Sequence, residues 1–130
     1  MRYRRAVHLV LIGLGGFAGA IARYVVDGWV SGLTRGGFPW GTLVINASGS
    51  FVLGLLAALT IDRSLLSPEI RGPVMIGFIG AYTTFSTWML ESSRLLEAGN
   101  WAGALGNLGG SVAVGLLAVF AGLTVGRIIA

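Results

Sequence analysis

Four long apolar runs separated by short polar or glycine- and proline-bearing breaks dominate this 130-residue chain, and they constrain its fold more than any motif does. They cover residues 6–30, 41–61, 73–96 and 101–129, and a membrane span needs about 20 mostly apolar residues. A soluble surface is out of reach, because 55% of the residues are hydrophobic and 11% charged, with mean hydropathy +0.83. The expectation is an all-α membrane protein: one transmembrane domain over residues 1–130 with four transmembrane helices. The connections are short, so consecutive helices should lie antiparallel in a bundle with both termini on one side.

The breaks are legible individually. Residues 31–39 hold Gly32, Gly36, Gly37 and Pro39 with Arg35, flanked by Trp29 and Trp40 as interfacial anchors. Residues 62–72 carry Arg63, Pro68, Glu69 and Arg71, and Gly99-Asn100 separates the last two runs. All nine basic residues are arginine. Arg2, Arg4, Arg5, Arg63, Arg71 and Arg127 fall on the terminal side, Arg35 and Arg94 on the other, and Arg23 within a span. That bias places the terminal side in the cytoplasm and the arginines against lipid headgroups. No basic stripe with interleaved aromatics exists, so no nucleic-acid partner is expected. The start of the chain imitates a cleaved signal peptide, but the remainder is equally apolar, so residues 6–30 are expected to stay as the first span.

Several chemistries drop out. Without cysteine there is no disulfide, thiolate metal site or cysteine nucleophile. Gly13-Leu14-Gly15-Gly16 copies a dinucleotide-binding turn but lacks the alternating strands and helices that such a fold needs. Gly15 and Gly19, and the span-four rows Gly106-Gly110-Val114-Ala118 and Ala118-Gly122-Gly126, are small faces for close helix packing instead. His8, the one histidine, has no nucleophile or metal partner in view, so an enzyme is not expected.

Two polar rows remain. Thr42, Asn46, Ser50 and Gly54 recur every four residues along span two, and Asn107, Ser111 and Gly115 do so on span four. They are either hydrogen-bonding glue between helices or the lining of a solute path. The donors are neutral amides and hydroxyls with almost no mid-span acid, so a path would suit an anion. Aromatic edges are electropositive, which brings in Phe85, Trp88 and Phe51 as edges or simply as packing. Arg23 either gathers anions in a vestibule or snorkels to the headgroups. The run Gly80-Ala81-Tyr82-Thr83-Thr84-Phe85-Ser86-Thr87 either keeps its helix, with hydroxyls bonded to the preceding turn, or breaks it near the middle of span three. A break frees carbonyl oxygens, hard ligands for a small structural cation.

Three blocks carry a family resemblance: Gly15-Gly16-Phe17-Ala18-Gly19-Ala20-Ile21-Ala22-Arg23-Tyr24, then Gly41-Thr42-Leu43-Val44-Ile45-Asn46 with Gly49 and Phe51, and the Gly80 to Thr87 run. Together they closely resemble the Fluc (CrcB-type) fluoride channels over nearly the whole chain. The resemblance implies a fluoride-selective, passive exporter in the bacterial cytoplasmic (inner) membrane, built as an antiparallel, dual-topology dimer with two pores and one central sodium ion. It implies a fluoride pore lined by Asn46 and Phe85, with Ser111 in a hydroxyl track, and sodium held by the Gly80 and Thr83 carbonyls; the polar row, the aromatic edges and the in-span charge add Thr42 and Trp88 to the pore and Arg23 as its vestibule. Trp88 stands where the family usually has phenylalanine, and Asn107 where a tyrosine is common. The arginine bias favours one orientation, so the dimer is either a homodimer or a pair with a homologous subunit. The rivals are a small multidrug-type proton-coupled transporter, for which Asp27 and Glu91 are poorly placed, and a non-transporting membrane assembly subunit.

Overall fold

Apolar run length translates directly into helix in the computed structural model, which describes residues 2–34, 36–62 and 67–129. Arg35 and Arg63, counted in the charge bias, lie outside the described residues. Helix α1 spans Arg2–Leu33. Helix α2 spans Trp40–Ala57, directly after Pro39, and continues as a wider π-wound turn, Ala58–Asp62. Helix α3 joins Pro68–Arg71, the π-wound Gly72–Ile79 and Gly80–Tyr82. Helix α4 is Phe85–Glu97 and α5 is Trp101–Ile129. Among the described residues, three helices are long and apolar enough to cross a membrane: Tyr3–Leu33, Trp40–Thr60 and Trp101–Ile129. The chain is an all-helical, multi-pass membrane protein.

With 32 residues, α1 is about 48 Å long against a hydrocarbon core of about 30 Å, so it is longer than the apolar zone. The surface is what lipid requires: Leu9, Phe17, Leu117 and Ile128 all point outward, while the buried apolar set is small, with Ile45, Ala58 and Ala104 at its centre. Backbone proximity therefore replaces a large side-chain core. A β-carbon on Gly15 or Gly19 would strike the carbonyls of Pro73 or Phe78, which seats α1 against the π-wound part of α3. Gly54 lies on the Val119 carbonyl, Gly122 on that of Phe51 and Gly126 on Ala58, which locks α2 to α5. The companion row behaves differently, since Gly106 and Gly110 meet nothing within 4 Å among the described residues.

Local chemistry sets the ends. Arg71 Nη2 donates to the Thr60 carbonyl at 2.9 Å, closing the end of α2 with a cation. Gly99, at φ +74, terminates α4 in a Schellman turn: Asn100 N–H reaches the Leu95 carbonyl (2.8 Å) and Gly99 N–H that of Leu96 (2.9 Å). Asn100 Oδ1 then accepts from Gly103 N–H at 2.9 Å, so the same turn starts α5. Between α3 and α4, Thr83 (ψ 158) and Thr84 (φ −149, ψ 121) are extended, and this two-residue interruption positions the candidate site.

Candidate functional site

A continuous helix would send the Thr84 N–H to the Gly80 carbonyl and the Thr87 N–H to the Thr83 carbonyl. Neither bond forms. Thr84 N–H donates to Asn46 Oδ1 at 2.8 Å, and Asn46 Nδ2 donates back to the Thr84 carbonyl at 2.9 Å. Thr87 N–H turns to Thr84 Oγ1 at 3.3 Å, so Thr84 is the N-cap of α4. The Gly80 and Thr83 carbonyls thus lose the donors that helical winding would supply, while Thr83 N–H and Oγ1 both bond to the Ile79 carbonyl at 3.0 Å. Hard, uncharged carbonyl oxygens are released at all four residues 80–83, those of Gly80 and Thr83 among them, and they fit a small monovalent cation by ligand type.

A groove of about 420 Å³ opens against the interruption. Asn46 and Ser50 of α2 face Ser111 and Gly115 of α5 across it, Thr83, Thr84, Phe85 and Trp88 form one wall, and Leu53, Val112, Leu116 and Val119 make the remainder apolar. Phe85 and Trp88 meet edge to face, with ring centroids 5.6 Å apart at 77°. Phe85 is 70% exposed, so its ring borders the groove and is not packed away. The N-terminus of the 13-residue α4 abuts the same space, adding partial positive charge. An amide carries two N–H donors, so Asn46 keeps one after its clamp on Thr84.

Trp88 and Asn107 touch each other. Trp88 Nε1–H donates to the Asn107 carbonyl at 3.0 Å, which removes the indole N–H from any solute's reach and leaves only the ring edge. Asn107 is fully buried, at 0% exposure. Its Nδ2 donates to Ser92 Oγ (2.9 Å), and Ser92 Oγ donates to the Trp88 carbonyl (2.8 Å). Ser111 Oγ donates to Asn107 Oδ1 at 3.3 Å, a bond long enough for the hydroxyl to swing toward the groove.

Thr42 and Arg23 lie elsewhere. They line a separate crevice of about 250 Å³ with Tyr24, Asp27, Ile45, Thr84 and Thr87. Thr42 is 2% exposed and donates to Glu91 Oε1 at 2.8 Å, while Glu91 Oε2 is buried without a hydrogen-bond partner among the described residues. Thr84 borders both the crevice and the groove, so the interruption is their shared wall. Of the expected pore residues, the structure gathers Asn46, Phe85, Trp88 and Ser111 in one groove and sets Thr42 beside Arg23. Sequence reasoning missed Thr84 as cap and clamp point and Ser92 as the anchor of Asn107. Only the position of Thr84 before a helix-forming run could have signalled its role.

The family model described as "CrcB-like protein, Camphor Resistance (CrcB)" matches residues 10–123. "Fluoride-specific ion channel FluC 1" of Symbiobacterium thermophilum is similar at 46% identity over 118 residues, 90% of this chain and 95% of the relative. "Fluoride-specific ion channel FluC" of Magnetococcus marinus is 42% identical over 123 residues, 95% of this chain and 100% of the relative. A second Symbiobacterium thermophilum protein, "Fluoride-specific ion channel FluC 2", is 46% identical over 111 residues, 85% of this chain and 90% of the relative. The matched stretch runs through every helix that borders the groove and the crevice, and the chain belongs to the CrcB-like family.

Proposed function

We propose that this chain is a subunit of a fluoride-selective channel that lets fluoride leave the cytoplasm passively through the bacterial inner membrane. The observation that carries the reading is the groove at the interruption, where an Asn46 N–H, the Phe85 ring and the Ser111 hydroxyl meet the N-terminus of α4. These are neutral donors and dipoles of one sign. They replace the water around a small, strongly hydrated anion without the trapping strength of a full charge, and the apolar far wall disfavours larger, softer halides. The relatives named fluoride-specific ion channels, at 42–46% identity over most of the chain, support the choice of fluoride.

In this reading α3 and α4 together make the fourth membrane crossing, broken at residues 83–84. Two subunits insert in opposite orientations and form two pores, with sodium held where the breaks meet. The Gly80 and Thr83 carbonyls of each subunit would hold it, and when bound it would supply a fixed positive charge beside the anion groove. Arg23 gathers anions in the crevice behind Thr84, Asn46 and Phe85 accept the ion from its water, Ser111 passes it on, and the Trp88 edge narrows the path. Thr42 holds Glu91 away from that path.

A second assembly has its own support. One organism carries two relatives, each 46% identical to this chain, and the arginines here are biased to one side. A pair of oppositely oriented homologous subunits would use the same groove. Liposomes loaded with potassium fluoride or chloride and containing only this purified chain test both points. Fast fluoride efflux without chloride efflux is expected of a homodimeric channel. Fluoride efflux that appears only with a second homologous subunit would establish the pair, and none in either case would overturn the channel.

A further inference from the structure

We infer that Asn46 Oδ1, by holding the Thr84 N–H, keeps the Gly80 carbonyl open, which makes Asn46 a positioning residue for the cation site as well as part of the anion groove. The inference deepens the proposed channel and rests on its reading of the released carbonyls as cation ligands. The Thr84 N–H is buried, since Thr84 is 8% exposed, and a buried N–H does not stay unpaired. Its acceptor is Asn46 Oδ1 at 2.8 Å. The alternative within reach along the chain is the Gly80 carbonyl, the partner that ordinary helical winding would give it. Removing Oδ1 therefore drives Thr84 back toward the helix of α3 and takes one oxygen from the cation.

The two halves of the amide act separately. Nδ2 donates to the Thr84 carbonyl and has a second N–H to offer, on a residue that lines the groove, so it serves the anion. Oδ1 accepts from the Thr84 N–H, so it serves the cation site. No other side-chain acceptor is bonded to that N–H among the described residues. One residue of α2 thereby couples the occupancy of the two sites.

The test uses full-length protein in detergent, with thermal unfolding followed as sodium replaces N-methylglucamine, and fluoride efflux measured separately. Wild type should be stabilised by sodium in a saturable way. N46D keeps an acceptor for the Thr84 N–H but adds a negative charge beside the groove. It should lose fluoride efflux while its half-saturating sodium concentration stays at or below the wild-type value. N46L loses both functions, and its half-saturating concentration should rise by about tenfold or more, as for other residues that orient metal ligands. Unchanged sodium affinity in folded N46L overturns the inference. If N46L does not fold, N46D decides, because loss of sodium stabilisation in a variant that keeps the acceptor is the contrary result. A wild type indifferent to sodium removes the cation reading itself, and the inference with it.

Discussion

Replacing Gly122 with alanine should destabilise the bundle far more than the same change at Gly106, although both glycines belong to α5 and sit in rows of identical spacing. A β-carbon on Gly122 would overlap the Phe51 carbonyl and lie 2.8 Å from the Leu55 nitrogen and 3.0 Å from the Phe51 carbonyl carbon. All are backbone atoms of α2, so no side chain can rotate away and the helices must part. Overpacking of this kind costs about 1–3 kcal/mol, a loss of roughly fivefold to more than a hundredfold in the folded-to-unfolded ratio. A β-carbon on Gly106 meets nothing within 4 Å, and there the better helix propensity of alanine should leave stability unchanged or raise it by up to about 1 kcal/mol. Gly54 reports on the same contact from the other side, against the Val119 carbonyl. The G54A/G122A double variant should lose less than the sum of the single losses, because one separation relieves both clashes. Thermal unfolding in detergent measures all four proteins. Because α2 and α5 also line two sides of the groove, G122A should in addition discriminate less well between fluoride and chloride. Equal midpoints for G122A and G106A would refute the claim that backbone contact between α2 and α5 holds the bundle.

Other consequences follow from individual side chains. N107L keeps the volume but removes the bonds to Ser92 and Ser111, so unfolding should be easier by about 2 kcal/mol, at about 1 kcal/mol per bond. F85I retains an apolar wall without an aromatic edge, and fluoride efflux should fall by about tenfold, equivalent to about 1.4 kcal/mol, with little change in melting temperature. T42V deprives Glu91 Oε1 of its donor beside an Oε2 that already lacks one, and should destabilise the protein by about 1–3 kcal/mol. T42S, which keeps the hydroxyl, should restore most of that loss.

The four apolar runs revealed most of the architecture, because hydropathy is a local property and the bilayer reads it locally. The last two residues before α5, Gly99 and Asn100, likewise announced their turn by type. What could not be read depends on residues distant in the chain. Asn46 and Thr84 are 38 positions apart, and Thr42 and Glu91 are 49 apart. No periodicity reveals that the first pair shapes the groove while Thr42 of the second lines a separate crevice. Within the hydroxyl run of span three, composition alone does not choose between Thr83, Thr84, Ser86 and Thr87 as cap. The glycine rows Gly106-Gly110 and Gly122-Gly126 are equivalent by spacing, yet only the second meets a neighbouring helix. The π-wound course of Gly72–Ile79, which presents the Pro73 and Phe78 carbonyls to α1, has no sequence signal beyond Gly72 and Pro73 at its start.

The central claim, passive and selective fluoride conduction through the Asn46 groove, is tested most directly by a planar bilayer holding the purified protein between high fluoride on one side and low fluoride made up with chloride on the other. The account predicts a current that reverses close to the fluoride equilibrium potential, is unmoved by a proton gradient, and is absent with N46D. A reversal potential near zero, or one that follows the proton gradient, would contradict it.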